Sequence, residues 1–121
     1  MNKLFIAAAA AALLAAGSAS AQDAAAGEKV FVKCKACHQV VAGKNGVGPS
    51  LFGVYGRKAG EAPDYKYSDV HKASGLTWDE ANLDKYLTNP KATIPGNKMV
   101  FAGLPDANDR KNLIAYLATL K

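Results

Sequence analysis

The sequence predicts an all-α domain in which a few helices are packed with long loops. Three observations carry this. Apolar residues recur at helical spacing near both ends of the chain, at 27–34 and 113–120. No alternating strand pattern of useful length occurs anywhere. Between the helical segments, Gln39 to Gly60 holds six glycines and one proline without periodicity. A loop of that length is unusual in a compact domain unless it wraps something.

The elements follow in order. Met1-Asn2-Lys3 carries a positive charge, Leu4 to Gly17 is an apolar run of 14 residues, and Ala19-Ser20-Ala21 ends on small side chains. That order is the pattern of a secretory signal peptide. A membrane span needs about 20 apolar residues, so an anchor is the poorer reading. Cleavage after Ala21 leaves one domain, residues 22–121. Its first helix lies within Ala24 to Lys35, with Val30, Phe31 and Cys34 following Gly27 at helical spacing, which puts the first cysteine on the buried face. Ser68 to Ser74 reads as a short helix capped by Ser68 and ended by Gly75. Thr77-Trp78-Asp79-Glu80 reads as a capping box with Thr77 as the cap. The helix it opens carries Leu83, Tyr86 and Leu87 on one face and stops near Asn89-Pro90. A loop, Pro95 to Gly103, precedes the last helix, which starts at Asp106 and buries Leu113, Ile114, Leu117 and Leu120 with Tyr116 beside them.

Charge narrows the function only a little. The whole chain carries net +5, and loss of Lys3 leaves 14 Lys+Arg against 10 Asp+Glu, net +4. A basic surface suits an acidic partner, nucleic acid or an anionic membrane face, and does not choose among them. The basic residues are scattered and no run of five or six occurs, which argues against a nucleic-acid tail.

The chain has two cysteines, Cys34 and Cys37, followed directly by His38. Export leads to an oxidising compartment where a structural disulfide would be ordinary, yet cysteines three positions apart staple nothing distant. A thioredoxin-type motif needs a βαβ setting, which is absent, and a zinc site needs further ligands, whereas the other histidine, His71, is remote. Cys-x-x-Cys-His reads instead as a c-type haem attachment site. Two intervening residues let both sulfurs reach vinyl groups on one edge of a porphyrin, and the next residue projects beneath the ring, making His38 the proximal iron ligand. For the opposite face, Met99 is the candidate: it is the only methionine after Met1, it stands in a Gly- and Pro-rich loop, and it is not on an apolar helical stripe. Its rivals are His71 and the neighbouring Lys98, with His71 read as a surface or cap residue of its short helix.

Beyond the motif, the chain resembles the class I c-type cytochromes, above all bacterial cytochrome c2 of the short type close to mitochondrial cytochrome c. The resemblance covers essentially Ala24 to Lys121. It rests on "GEKVFVKCKACH" (27–38), "GVGPSLFGVYGRKAG" (46–60), "YKYSD" (65–69), "GLTWDEANLDKYLTNPK" (75–91), "PGNKMVFAGL" (95–104) and "LIAYL" (113–117). It implies the small class I fold around one covalent haem c, attached through Cys34 and Cys37, with His38 and Met99 as axial iron ligands. It further implies that Pro49 accepts a hydrogen bond from the second nitrogen of His38 and that Tyr86 approaches the Met99 sulfur. Tyr67, Trp78 and Arg57 would hold the inner propionate, and Gly27 and Phe31 would meet Leu113 and Tyr116 where the terminal helices cross. Two departures stand out. The family commonly has Thr where Asn97 stands and often Asn where His71 stands, both near the propionate and a buried water of the family.

With both axial positions filled, no open site remains for substrate, and a thioether ligand favours ferrous iron. The reading is an electron-transfer protein, not an enzyme: a periplasmic one-electron carrier, monomeric and without a stable membrane anchor. Its partners would be acidic redox surfaces, a cytochrome bc1-type complex as donor and a terminal oxidase or photosynthetic reaction centre as acceptor, besides the haem-attachment machinery. By resemblance, Lys33, Lys35, Lys44, Lys91 and Lys98 cluster around the exposed haem edge and would steer docking. The competing class is a haem peroxidase or gas sensor from whose iron Met99 is displaced.

Overall fold

Helix starts in this chain are set by short polar side chains. In the computed structural model, which describes residues 22–121, Asp23, Ser68, Asp79, Asn89 and Asp106 each accept a backbone N–H of the following turn. Such caps satisfy donors that the first turn of a helix leaves free. They open α1 (Ala24–Val30), α2 (Asp69–Lys72), α3 (Glu80–Thr88), α4 (Pro90–Thr93) and α5 (Ala107–Ala118). α1 runs on into a 3₁₀ turn, Phe31–Cys34. The leader expected over residues 1–21 lies outside the described residues.

Two boundaries differ from the sequence reading. The helix expected from Thr77 begins at Glu80, and Asp79 is its cap, accepting from the Asn82 N–H at 2.8 Å. Thr77 cannot turn into a helix because its neighbours are paired as extended chain. Thr77 bridges Lys58 in antiparallel fashion, Trp78 N–H donates to the Arg57 carbonyl at 2.8 Å, and Ala59 N–H donates to Leu76 at 2.8 Å. That isolated bridge is the one β pairing among the described residues. Beyond Asn89, where the helix was expected to stop, α4 adds one further turn. Pro90 occupies its first position, where a missing N–H costs nothing, and Asn89 caps it.

The frame is the crossing of α1 and α5. Both are short, and their contact depends on Gly27, which is buried against α5. A Cβ there would overlap the Asn112 carbonyl and lie 2.9 Å from Tyr116 Cβ. Around this point Phe31 packs its ring 5.5 Å from that of Tyr116, and the Asp23 N–H donates to Asn112 Oδ1 at 2.9 Å. α3 is joined to α5 by Arg110, half-buried, whose Nε meets Asp84 Oδ1 at 2.8 Å while Nη1 donates to the Leu104 carbonyl at 2.8 Å. Phe31, Trp78, Leu83, Leu87, Leu104, Leu113 and Leu117 form the buried core between these helices and the loops.

Gly27→Ala should therefore destabilise the protein. In an open helix this change stabilises by up to about 1 kcal/mol. Here the crossing would have to open, at a cost of about 1–3 kcal/mol or more. The midpoint of denaturant unfolding measures it, and an unchanged or raised midpoint would show that the helices do not meet at Gly27.

Candidate functional site

The loops and helices enclose a cavity of about 460 Å³, within the size range of cofactor sites. Its wall is mostly apolar and aromatic. Cys34, Cys37, His38, Pro49, Arg57, Tyr67, Trp78, Tyr86 and Met99, the nine residues singled out from the sequence, all lie on it. Residues from 31 to 117 contribute, because the long loop folds back on Cys37 and Gln39 and the Pro95 to Gly103 segment supplies Asn97 to Phe101.

The motif itself is a tight turn. Cys37 and His38 N–H groups both donate to the Cys34 carbonyl, at 3.1 and 2.9 Å. Cys34 is half-buried and Cys37 exposed. Burial pushes the Cys34 thiol up to about 11, with the nearby Cys37 adding to the effect and Lys33 opposing it. The glycine-rich loop then returns: Gly48 N–H donates to the Cys37 carbonyl at 2.8 Å and Leu51 N–H to Gln39 at 2.9 Å. This brings His38 Nδ1 to 2.8 Å from the Pro49 carbonyl. A carbonyl only accepts, so Nδ1 carries the proton and Nε2 keeps its lone pair. Burial also lowers the basicity of His38, outweighing the opposite influence of that hydrogen bond, and keeps the ring neutral. Gly48 makes the approach possible, since a Cβ at that position would press into the imidazole, 2.8 Å from Nδ1.

On the other wall, Tyr86 Oη lies 3.9 Å from Met99 Sδ, a hydrogen bond to sulfur. Burial raises the Tyr86 hydroxyl to about 12, so it stays protonated. Tyr67 Oη accepts the Ala62 N–H at 3.0 Å. Arg57 donates through Nη1 to Phe52 and through Nη2 to Ser50, at 3.1 and 3.2 Å. Its Nε is buried without a hydrogen-bond partner. A buried guanidinium donor left over at a cavity wall suits an anionic group there.

The pocket thus offers thiols, an imidazole with a free lone pair, a thioether, and a spare donor for an acid. This set fits a haem attached at Cys34 and Cys37 better than a bare metal ion: among the described residues no three His, Cys, Asp or Glu side chains gather as ligands. Comparison with known proteins agrees. The profile of the Cytochrome c family matches residues 24–121. The chain belongs to this family. Cytochrome c2 iso-2 of Magnetospirillum molischianum is 66% identical over 99 residues, which cover 82% of this chain and 99% of that one. Cytochrome c2 of Rhodoblastus acidophilus is 57% identical over 102 residues, 84% of this chain and 95% of the relative. Among solved structures, cytochrome cH from Methylobacterium extorquens superposes with a TM-score of 0.76 at 57% identity, covering 80% of this chain and 98% of that one. This chain is accordingly a class I c-type cytochrome, an electron-transfer protein with one covalently attached haem c and the helical fold of its relatives.

Three residues look different from the sequence reading of this cytochrome. His71 is not a surface residue of its short helix. It is half-buried on the cavity wall, stacked 5.0 Å from Tyr67, and its ring stands 6.1 Å from Trp78 and 6.2 Å from Tyr86. The spacing of Tyr67 and His71, i and i+4 around the Ser68 cap, is the signal that reveals this contact. Lys91 and Lys98, read as free docking charges, are tied to this chain. Lys91 Nζ donates to the Asn97 carbonyl at 2.6 Å, and Lys98 Nζ donates to Lys66 at 2.7 Å while lying 5.2 Å above the Tyr65 ring.

Burial lowers the basicity of His71. A histidine whose folded pKa is depressed is buried neutral, so its contribution is present above the unfolded value near 6.5 and is lost as pH falls below it. His71→Asn should therefore move the acid-unfolding midpoint of the holoprotein to lower pH, followed by circular dichroism. A midpoint that rises or stays in place would mean that His71 is not buried as the neutral base.

Proposed function

We propose that this cytochrome is a soluble periplasmic one-electron carrier, exported by residues 1–21, whose haem is held by Cys34 and Cys37, with His38 and Met99 as the axial ligands. The observation that carries the ligand reading is the His38 to Pro49 hydrogen bond at 2.8 Å, which leaves Nε2 as a donor on the wall that Met99 also lines. When bound, the haem supplies a one-electron iron couple. The chain does the rest. Pro49 fixes the His38 tautomer and ring orientation, as partners behind a metal ligand do. Met99 offers a thioether, a weak donor that raises the potential. Tyr86, hydrogen-bonded to that sulfur, restrains it. Arg57 Nε, with Tyr67 and Trp78 beside it on the wall, is the group for a propionate. The apolar wall excludes water and disfavours the additional charge of the oxidised state.

Electrons would arrive from a cytochrome bc1-type complex and leave to a terminal oxidase or photosynthetic reaction centre, through acidic faces that match the basic edge of this chain. Lys33 is the best-placed steering charge. It is exposed and lies at the cavity mouth. The side-chain ion pairs among the described residues are Lys72–Asp69 and Arg110–Asp84, so no carboxylate neutralises it.

Met99→Ala tests the ligand reading. The haem should remain covalently attached, carbon monoxide should bind the ferrous form, and the potential should fall, all read by spectroscopy and potentiometry. Retention of the wild-type spectrum and potential would assign the sixth position to another residue, with His71 first in line. Carbon monoxide binding by the unmodified protein would favour a gas-binding role over electron transfer.

Steering is tested by charge reversal. Lys33→Glu should slow the bimolecular reaction with an acidic redox partner several-fold at low salt, with Lys121→Glu having much less effect. Steering changes on-rates by about 10–1,000-fold. At 0.1 M salt the screening length is only about 10 Å, so the difference should shrink there. Lys91→Glu is a poorer probe because it also breaks the bond to Asn97. Equal slowing by Lys33→Glu and Lys121→Glu would assign the effect to net charge.

A further inference from the structure

We infer that Asn97 is a positioning residue whose side-chain amide clamps the Met99 backbone to α4 and so keeps the sixth iron position closed to other ligands. This rests on Met99 being the axial ligand. Asn97 is 3% exposed. Its Nδ2 donates both hydrogens, to Pro90 at 3.0 Å and to Ile94 at 2.8 Å. Its Oδ1 accepts the Met99 N–H at 2.8 Å. The orientation of the amide is unambiguous, since two carbonyls can only accept and an N–H can only donate. The Asn97 backbone is equally engaged: its N–H donates to Ile94 at 3.1 Å and its carbonyl accepts from Lys91 Nζ at 2.6 Å.

The direction of this clamp matters. On the far side of Met99, Val100 is 97% exposed and holds nothing. The contact of the sulfur itself, to Tyr86 at 3.9 Å, is long. On either side of Met99 in the chain, Lys98 is bonded to Lys66 and Phe101 packs on the core, but the hydrogen bond that holds the Met99 backbone itself is the one to Asn97. A threonine hydroxyl has one hydrogen to donate and could not serve both carbonyls. In this chain the asparagine joins α4 to the methionine segment by one more hydrogen bond than the residue common in the family could make.

The test uses the holoproteins of wild type, Asn97→Ala, Asn97→Thr and Ile114→Ala. Ile114 is 2% exposed, lies in α5 and is not part of the cavity wall, so its variant lowers stability without touching the clamp. The readouts are imidazole binding to the ferric protein, the far-red methionine-to-iron charge-transfer band, and hydrogen exchange of the Met99 amide. Loss of a buried hydrogen bond with its partner left unsatisfied shifts an equilibrium by about tenfold or more. Asn97→Ala should raise imidazole affinity and Met99 exchange by about that factor, Asn97→Thr should fall between, and Ile114→Ala should bind imidazole as wild type does. Should Asn97→Ala yield no holoprotein, Asn97→Thr alone carries the comparison with Ile114→Ala. Wild-type imidazole affinity in the Asn97 variants, with the charge-transfer band present, would overturn the clamp while leaving Met99 as ligand. A wild-type spectrum without that band would instead overturn the ligand reading, and the clamp with it.

Discussion

The hydrogen bond from His38 Nδ1 to the Pro49 carbonyl is the contact on which the site hangs. It joins the end of the first helical segment to a loop 11 residues further on, and it works only if that loop returns along a defined path. The path is written in hydrogen bonds. Ser50 N–H donates to Asn45 Oδ1 at 2.8 Å, Ser50 Oγ donates to the Val41 carbonyl at 2.7 Å, and Gly48 closes on Cys37. A glycine-rich segment without a helix or strand is thereby given a single conformation. Without the Pro49 acceptor a buried imidazole donor would go unmatched, at a cost of about 1–3 kcal/mol. The tautomer would then no longer be fixed, and with it the nitrogen that faces a metal.

Much of the frame was legible in the sequence because it follows from local rules. Ser68 and Asp106 cap their helices, and Leu113, Ile114 and Leu117 are buried on α5 as their spacing requires, whereas Leu120, expected with them, lies past the helix end and is half-buried. The start of α3 was misread because Thr77 and Glu80 satisfy a local rule that a longer-range one overrides: pairing with 56–59 holds Thr77 extended. The cysteines and His38 announce themselves by adjacency. Met99 stood out as the one methionine after Met1, but Pro49, Arg57, Tyr67, Trp78 and Tyr86 reach the same cavity wall along a path that periodicity does not describe, so only likeness to a family brought these five together.

His71 and Asn97 stood out as departures from the family near its propionate and buried water, but the contacts they make did not. Polar residues in a small domain are mostly exposed, and what buries these two is tertiary contact, for which the spacing of Tyr67 and His71 was the one local sign. His71 lies against Tyr67 in a chain of rings that continues to Trp78 and Tyr86. Asn97 is buried because three backbone groups await its amide. One is held by aromatic contact, the other by saturated hydrogen bonding.

The meeting of α1 with α5 also governs the order in which the chain can take shape. The helix that carries Gly27 toward the Cys34–His38 turn packs on residues 107–118, which follow it by about 80 positions. Contacts so distant in sequence form slowly, after the ends of a long loop have been brought together. Until residues 107–118 are available, the face of α5 against which Phe31 packs is missing. In a chain growing from its N-terminus, the segment that carries the two cysteines is therefore complete well before the helix that fixes it in place. The exposed Cys37 and half-buried Cys34 stay near the surface even after the two helices have met.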